Sequence, residues 1–149
     1  MMEVQLRKKL GDLVLDTGFS LKAGERGVLF GPSGSGKTTI LKILAGLVHP
    51  EKGRIQVNQN VWFDSEKKIK KAAHARKTGF VFQDYALFPH LTVKENIAFG
   101  LEKPKKMNFV MELMEMMELL PFEKAHPKTL SGGQKQRVAL ARALARRPE

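Results

Sequence analysis

Hydrophobic positions alternate in short runs at the start of the chain, and from residue 39 onward they also recur at three- and four-residue spacings. Val4 to Leu6 and Leu13 to Phe19 predict two β segments joined by the polar turn Lys8-Lys9-Leu10-Gly11-Asp12. After the turn Lys22-Ala23-Gly24-Glu25, the run Arg26-Gly27-Val28-Leu29-Phe30 predicts a short buried strand. Thr39 to Ala45 places Ile40, Leu41 and Leu44 on one helical face, and Gly46 stands where a left-handed cap would end that helix.

The break His49-Pro50-Glu51-Lys52-Gly53 precedes an alternating strand, Arg54-Ile55-Gln56-Val57. Asn58-Gln59-Asn60 predicts a tight turn, because Asn tolerates the left-handed region, and Val61-Trp62-Phe63 returns as the partner strand. From Glu66 to Lys77 the chain is strongly basic, with Lys67, Lys68, Lys70, Lys71, Arg76 and Lys77, which predicts a solvated loop or short helix. Gly79-Phe80-Val81-Phe82 predicts a second buried strand, delivering Gln83 at the end where parallel sheets present ligand-contacting groups. Beyond the loop Asp84 to His90, Thr92 and Glu95 form a capping-box pattern for a helix through Ile97 and Phe99.

Asn108 to Leu120 carries Phe109, Leu113, Met116 and Leu120 at helical spacing, widened by Val110, Met114 and Met117, and Pro121 ends it. A Met-rich stripe this broad reads either as core or as part of an adaptable groove for a partner helix. His126-Pro127-Lys128 marks another turn. The last helix is predicted from about Lys135 to Arg147, with Val138, Ala141 and Ala145 inside and Lys135, Arg142 and Arg146 outside.

Composition narrows the function classes. A chain of 149 residues that is 42% hydrophobic can bury the core of about one domain. Lys and Arg number 26 against 15 acids, a net charge of +11, which favours nucleic acid, an anionic membrane face or a polyphosphate as partner. The basic run lacks the interleaved aromatics of a nucleic-acid stacking surface. Absence of Cys excludes disulfides and thiolate metal sites, and no apolar run is long enough to span a bilayer. Met1 to Leu10 is too polar for a signal peptide, so the sequence reads as neither exported nor spanning.

The chemistry lies in Gly31-Pro32-Ser33-Gly34-Ser35-Gly36-Lys37-Thr38, followed by Thr39: two glycines five apart, then Lys and a hydroxyl residue, between a predicted strand and a predicted helix. Glycines let successive backbone N–H groups turn inward, and the positive end of the next helix completes an anion site suited to nucleotide phosphates. Lys37 would set its charge near the β- and γ-phosphates, and the Thr38 hydroxyl would be one ligand of a Mg²⁺ ion. Ser131-Gly132-Gly133-Gln134 repeats this logic at a second helix start, although such a sequence alone also reads as an ordinary capped entry.

Together with Gln83, these two motifs resemble the nucleotide-binding domain of ATP-binding cassette (ABC) transporters: Walker A at Gly31 to Thr38, the Q-loop at Gln83, and the signature Leu130 to Gln134 followed by Gln136-Arg137 and Ala141-Arg142-Ala143-Leu144. The resemblance covers the whole chain. Val81 to Val93 with Glu95-Asn96-Ile97 is similar to importers of oxyanions, iron, polyamines and sugars, and the short N-terminal part with the 58–64 hairpin looks most like the molybdate-import ATPases. It implies an α/β P-loop NTPase fold, divided into a β part with phosphate-loop core over 1–91, a helical subdomain over 92–130 and a signature helix over 131–149.

The resemblance also implies ATP and Mg²⁺ as cofactors. Gly34 to Thr39 would hold phosphates, Thr38 and Gln83 would coordinate Mg²⁺, and Ser131, Gly132, Gly133 and Gln134 would contact the γ-phosphate bound by a second subunit. A permease would dock near Gln83 and the helical subdomain, with a solute-binding protein as an indirect partner, on the inner face of the membrane. Leu10 stands where the family usually stacks an aromatic on adenine, so it offers only an apolar contact. The family's Walker B acids and switch His have no counterpart before Glu149, and none of His49, His74, His90 or His126 replaces the latter. The expectation is therefore a fragment or truncated product that is poor in hydrolysis by itself. The alternatives are a non-catalytic nucleotide-binding module and a soluble ABC protein working on nucleic acid. The second is opposed by the stretch between Gln83 and Ser131, which holds no heptad array for a coiled coil.

Overall fold

The computed structural model describes residues 1–101 and 107–148. They form two compact units, Met1–Arg76 and the residues from Lys77 onward, each with its own core.

In the first unit, β1 (Met2–Leu10) and β2 (Leu13–Leu21) pair antiparallel across a two-residue turn, longer strands than the hydrophobic pattern alone defines. The polar residues Arg7, Lys8 and Lys9 continue the ladder because their partners on β2 supply backbone bonds whatever the side chains. Strand β3 (Lys52–Val57) pairs with β1, β4 (Asn60–Asp64) with β3, and the two-residue β5 (Ile69–Lys70) with β4, giving an all-antiparallel sheet in the order β2-β1-β3-β4-β5. Asn58 takes φ 52° in the turn between β3 and β4, as expected of Asn there.

One face of this sheet carries Val4, Leu6, Leu15, Ile55, Val57 and Phe63, which pack with Trp62 and with Ile40 and Ile43 of helix α1 (Lys37–Leu44). Each fully buried Ile contributes about 1.5–3 kcal/mol. The inner face of α1 is thus Ile40 and Ile43, and Leu41, expected inside, is exposed. At the far end of α1, Gly46 (φ 78°) donates to the Ile43 carbonyl and Leu47 donates to Lys42, the paired bonds of a left-handed glycine cap.

Two expected strands do not form. Arg26–Phe30 is irregular, with Val28 and Phe30 exposed and only Leu29 packed on the core. Gly79–Phe82 is irregular as well, with Phe80 and Phe82 in edge-to-face contact 4.8 Å apart. An apolar run becomes a strand only beside a neighbour that takes up its N–H and C=O groups, and no described residue offers either run such a ladder.

In the second unit, α2 (Val93–Ala98), α3 (Met107–Met116) and α4 (Gly132–Ala145) enclose a core of Val93, Ile97, Val110, Leu113, Met114, Leu119, Leu130, Val138, Ala141 and Ala145. Helix α3 ends before Leu120. Glu118 turns left-handed at φ 54°, and Leu119 donates back to the Met114 carbonyl, so the chain has left the helix before Pro121 is reached. That shifts the inner stripe to Val110, Leu113, Met114 and Leu119, leaving Met116 and Leu120 exposed. Met114 is core, and Met116 is surface.

Candidate phosphate-binding site

The phosphate loop runs from Gly31 into α1, with Gly31, Gly34 and Gly36 at φ 156°, 82° and 88°. Gly36 is the N-cap of α1, and it cannot be replaced cheaply. Its φ lies in the left-handed region, and a Cβ built there would meet the Leu15 side chain at 2.4 Å. Leu15, a buried residue of β2, therefore lies against the loop at its tightest point; nothing in its own local sequence signals that role. Gly36 gives α1 no side-chain cap, so the amides of Lys37, Thr38 and Thr39 begin the helix with no partner from an N-cap side chain. The first turn holds no acidic residue.

The Lys37 ammonium donates to the Gly31 carbonyl at 2.9 Å, the Pro32 carbonyl at 2.6 Å and Ser35 Oγ at 3.3 Å. It thus spans the mouth of the loop, held by acceptors it can exchange for phosphate oxygens. Uncapped helix amides, a cation bonded to neutral oxygens and backbone room made by glycine fit a polyphosphate, and the exposed Thr38 hydroxyl at the second helical position fits a Mg²⁺ ligand. Pro32, Ser33 and Gly34 form the exposed tip, and Thr39 is half-buried behind it.

Arg76 supports α1 from its other end. Although it belongs to the basic run expected in solvent, it is fully buried. Its guanidinium donates to the carbonyls of Ile43 (2.7 Å), Leu44 (2.8 Å), Lys71 (3.0 Å) and Trp62 (3.4 Å), and lies 5.5 Å from the Trp62 ring centroid. A cation on the last carbonyls of α1 complements the helix dipole, while burial lowers its pKa. The lysines around it in sequence hide this Arg from any reading of composition.

At the signature, Ser131 caps α4 and builds a full capping box: Gln134 N–H donates to Ser131 Oγ at 3.3 Å, and Ser131 N–H donates to Gln134 Oε1 at 2.7 Å. The helix starts at Gly132, earlier than the pattern of apolar positions suggests. Ser131, Gly132 and Gly133 are exposed, and Gly132 and Gly133 have nothing within 4 Å of a built Cβ.

Gln83 is exposed at the start of a tight loop in which Tyr85 and Ala86 both take positive φ, 62° and 43°. Two side chains fix that loop. Asn96, fully buried on α2, donates to the carbonyls of Phe88, Leu91 and Thr92 and accepts from Phe88 N–H at 2.8 Å. Arg142 of α4, expected on an outer face, is half-buried and donates to the Tyr85 and Ala86 carbonyls, each at 2.7 Å. Leu10 ends β1 beside the turn, half-buried and packed on the first unit's core.

A family model described as ABC transporter matches residues 14–149. The chain belongs to the ABC transporter family. It is 43% identical, over 99% of its length, to the molybdenum import ATP-binding protein ModC of Vibrio parahaemolyticus, and covers 40% of that protein. It is 51% identical over 87% of its length to a probable sulfate/thiosulfate import ATP-binding protein CysA of Chlorella vulgaris, covering 54% of it. Among solved structures it is similar to the dimeric ATP-binding cassette MJ0796 in a post-hydrolysis state bound to ADP and Pi, with TM-score 0.78 and 33% identity, covering 99% of this chain and 71% of that one.

The chain thus spans about half or less of the length of these import proteins. The resemblance read from Walker A, Gln83 and the signature is borne out at family level, and so is the α/β ABC fold. Among the described residues, no helix is long and apolar enough to cross a membrane, and no group of three or more His, Asp and Glu is placed to hold a metal ion.

Proposed function

We propose that this chain is the ATP-binding part of an ABC importer's ATPase subunit, serving a tetrahedral oxyanion such as molybdate. The observation that carries the nucleotide half of this reading is the start of α1: glycine-capped, free of acids, with Lys37 spanning the loop mouth on exchangeable carbonyl bonds. In this reading Gly31 to Thr39 bind the ATP phosphates, Thr38 ligates Mg²⁺, Gln83 is a further Mg²⁺ ligand, and Leu10 gives the base an apolar contact. Ser131, Gly132, Gly133 and Gln134 serve the γ-phosphate of a second copy of the subunit, so the working form is a homodimer. The permease docks near Gln83 and the helical stretch from Thr92, at the inner membrane face, and a solute-binding protein acts through the permease. No residue of the chain is proposed as the catalytic acid.

Similarity to ModC supports molybdate. The 51% identity to the sulfate/thiosulfate protein supports sulfate as a second reading, a dianion of the same shape. Equilibrium binding of ATP to the purified chain tests the nucleotide role: affinity is expected to drop on the order of tenfold or more in Lys37→Ala, from lost charge-assisted bonds. Equal affinity in both proteins would refute it. Loss of molybdate but not sulfate uptake in cells without the gene would select the first solute.

A further inference from the structure

The loop after Gln83 is held in a conformation its sequence does not favour. Tyr85 and Ala86 are consecutive non-glycine residues at positive φ, and such geometry persists only where the surroundings over-determine it. Of the two side chains that fix this loop, Arg142 is the one that holds the left-handed pair itself. The planar fork of Arg142 places Nη1 2.7 Å from the Ala86 carbonyl and Nη2 2.7 Å from the Tyr85 carbonyl, and its guanidinium lies 5.5 Å from the centroid of the Phe88 ring. Phe88 is itself fixed by Asn96 through both its N–H and its carbonyl, and packs on Phe99 with ring centroids 4.4 Å apart. An ammonium can reach two adjacent carbonyls, as Lys37 does, but not through coplanar, parallel N–H groups, so it would fix their orientation less firmly.

We propose that Arg142 is a positioning residue for Gln83: it ties the left-handed pair Tyr85-Ala86 to helix α4 and so sets where the preceding glutamine is presented. This rests on the role given to Gln83 above. It also makes α4 carry two functions. Its first residues are the signature, and its third turn holds the loop that begins at Gln83. Arg137, on the same helix, provides the contrast, because its Nη1 donates to the Met117 carbonyl and to Glu118 and so caps α3.

The test compares Arg142→Met, Arg142→Lys and Arg137→Met in the full chain by amide hydrogen exchange and by ATP binding with and without Mg²⁺. In Arg142→Met, amides of residues 84–88 are expected to exchange on the order of tenfold faster, from loss of two charge-assisted bonds. α4 should keep its protection, and the Mg²⁺-dependent part of ATP affinity should fall on the order of tenfold, as for a lost outer-shell partner. Arg142→Lys should lie between, and Arg137→Met should loosen α3 while sparing residues 84–88. Combining Arg142→Met with Gln83→Ala should cost no more than Gln83→Ala alone. Unchanged exchange at 84–88 in Arg142→Met, or wild-type behaviour of Arg142→Lys, overturns the proposal, as does an additive double variant. If Arg142→Met disrupts α4 itself, the lysine variant decides. If Gln83→Ala is silent while Arg142→Met still loosens 84–88, the metal role of Gln83 fails and the anchoring of the loop by Arg142 stands.

Discussion

Helices α1 and α4 open alike in sequence, with a hydroxyl residue and glycines ahead of an apolar stripe, yet their first turns are in opposite states. Helix α4 satisfies itself: the Ser131 hydroxyl accepts from the Gln134 amide, and the Gln134 side chain returns the bond to the Ser131 amide. Helix α1 has no such device, since its N-cap is Gly36, and the nearest cation is spent on backbone carbonyls. A helix N-terminus attracts anions only through donors that are not already used. The difference teaches that α1 is a site in itself, whereas α4 needs a competing phosphate to open its box or to use the glycine amides beside it.

The largest effect is expected from alanine at the glycines. Gly36→Ala forces a Cβ into Leu15 and a side chain into left-handed backbone, and should cost about 3 kcal/mol, with loss of ATP binding. Gly132→Ala meets nothing within 4 Å, and in a helix it should stabilise by up to about 1 kcal/mol. Thermal or urea unfolding of the two variants reads the contrast, and equal destabilisation would mean that the two starts are not distinct.

Next comes the cap. Ser131→Ala removes the acceptor for the Gln134 amide and should cost about 1 kcal/mol of second-unit stability, with ATP affinity of the isolated chain unchanged. At concentrations where the chain is monomeric, a fall in that affinity would show that α4 serves nucleotide already bound by its own chain.

How much of this was legible in the sequence depends on whether the cause is local. The phosphate loop, the capping box at Thr92, the capping Ser131, the left-handed Asn58 and the glycine cap of α1 were readable, because each is built by residues within a few positions of one another. The failures share a different cause. Arg26–Phe30 and Gly79–Phe82 are apolar enough for strands, but a strand is a property of two segments, and the second is not among those described. Arg76 and Arg142 read as surface charge because their partners are backbone carbonyls, most of them dozens of positions away, which carry no sequence signature at all. Glu118 ends α3 in a conformation more usual for glycine, so Pro121 looked like the terminator.

The smallest effect separates the two capping boxes by charge. In α2 the third residue is Glu95, whose carboxylate accepts from the Thr92 amide and hydroxyl at 2.8 Å each; in α4 it is the neutral Gln134. The bonds to Thr92, helped by His126 and His90, hold the Glu95 pKa below the ordinary carboxylate value. A carboxyl with a lowered folded-state pKa contributes stability that is present above its unfolded value, about 4.3, and is lost as pH falls through the lowered one. Acidification from neutral pH to below 4 should therefore speed exchange of the first α2 amides by a small factor, beyond the intrinsic change with pH, and leave those of α4 untouched. Glu95→Gln, which keeps the geometry of the box without the charge, should make α2 as indifferent to pH as α4. If it does not, the sensitivity does not pass through the Glu95 carboxylate.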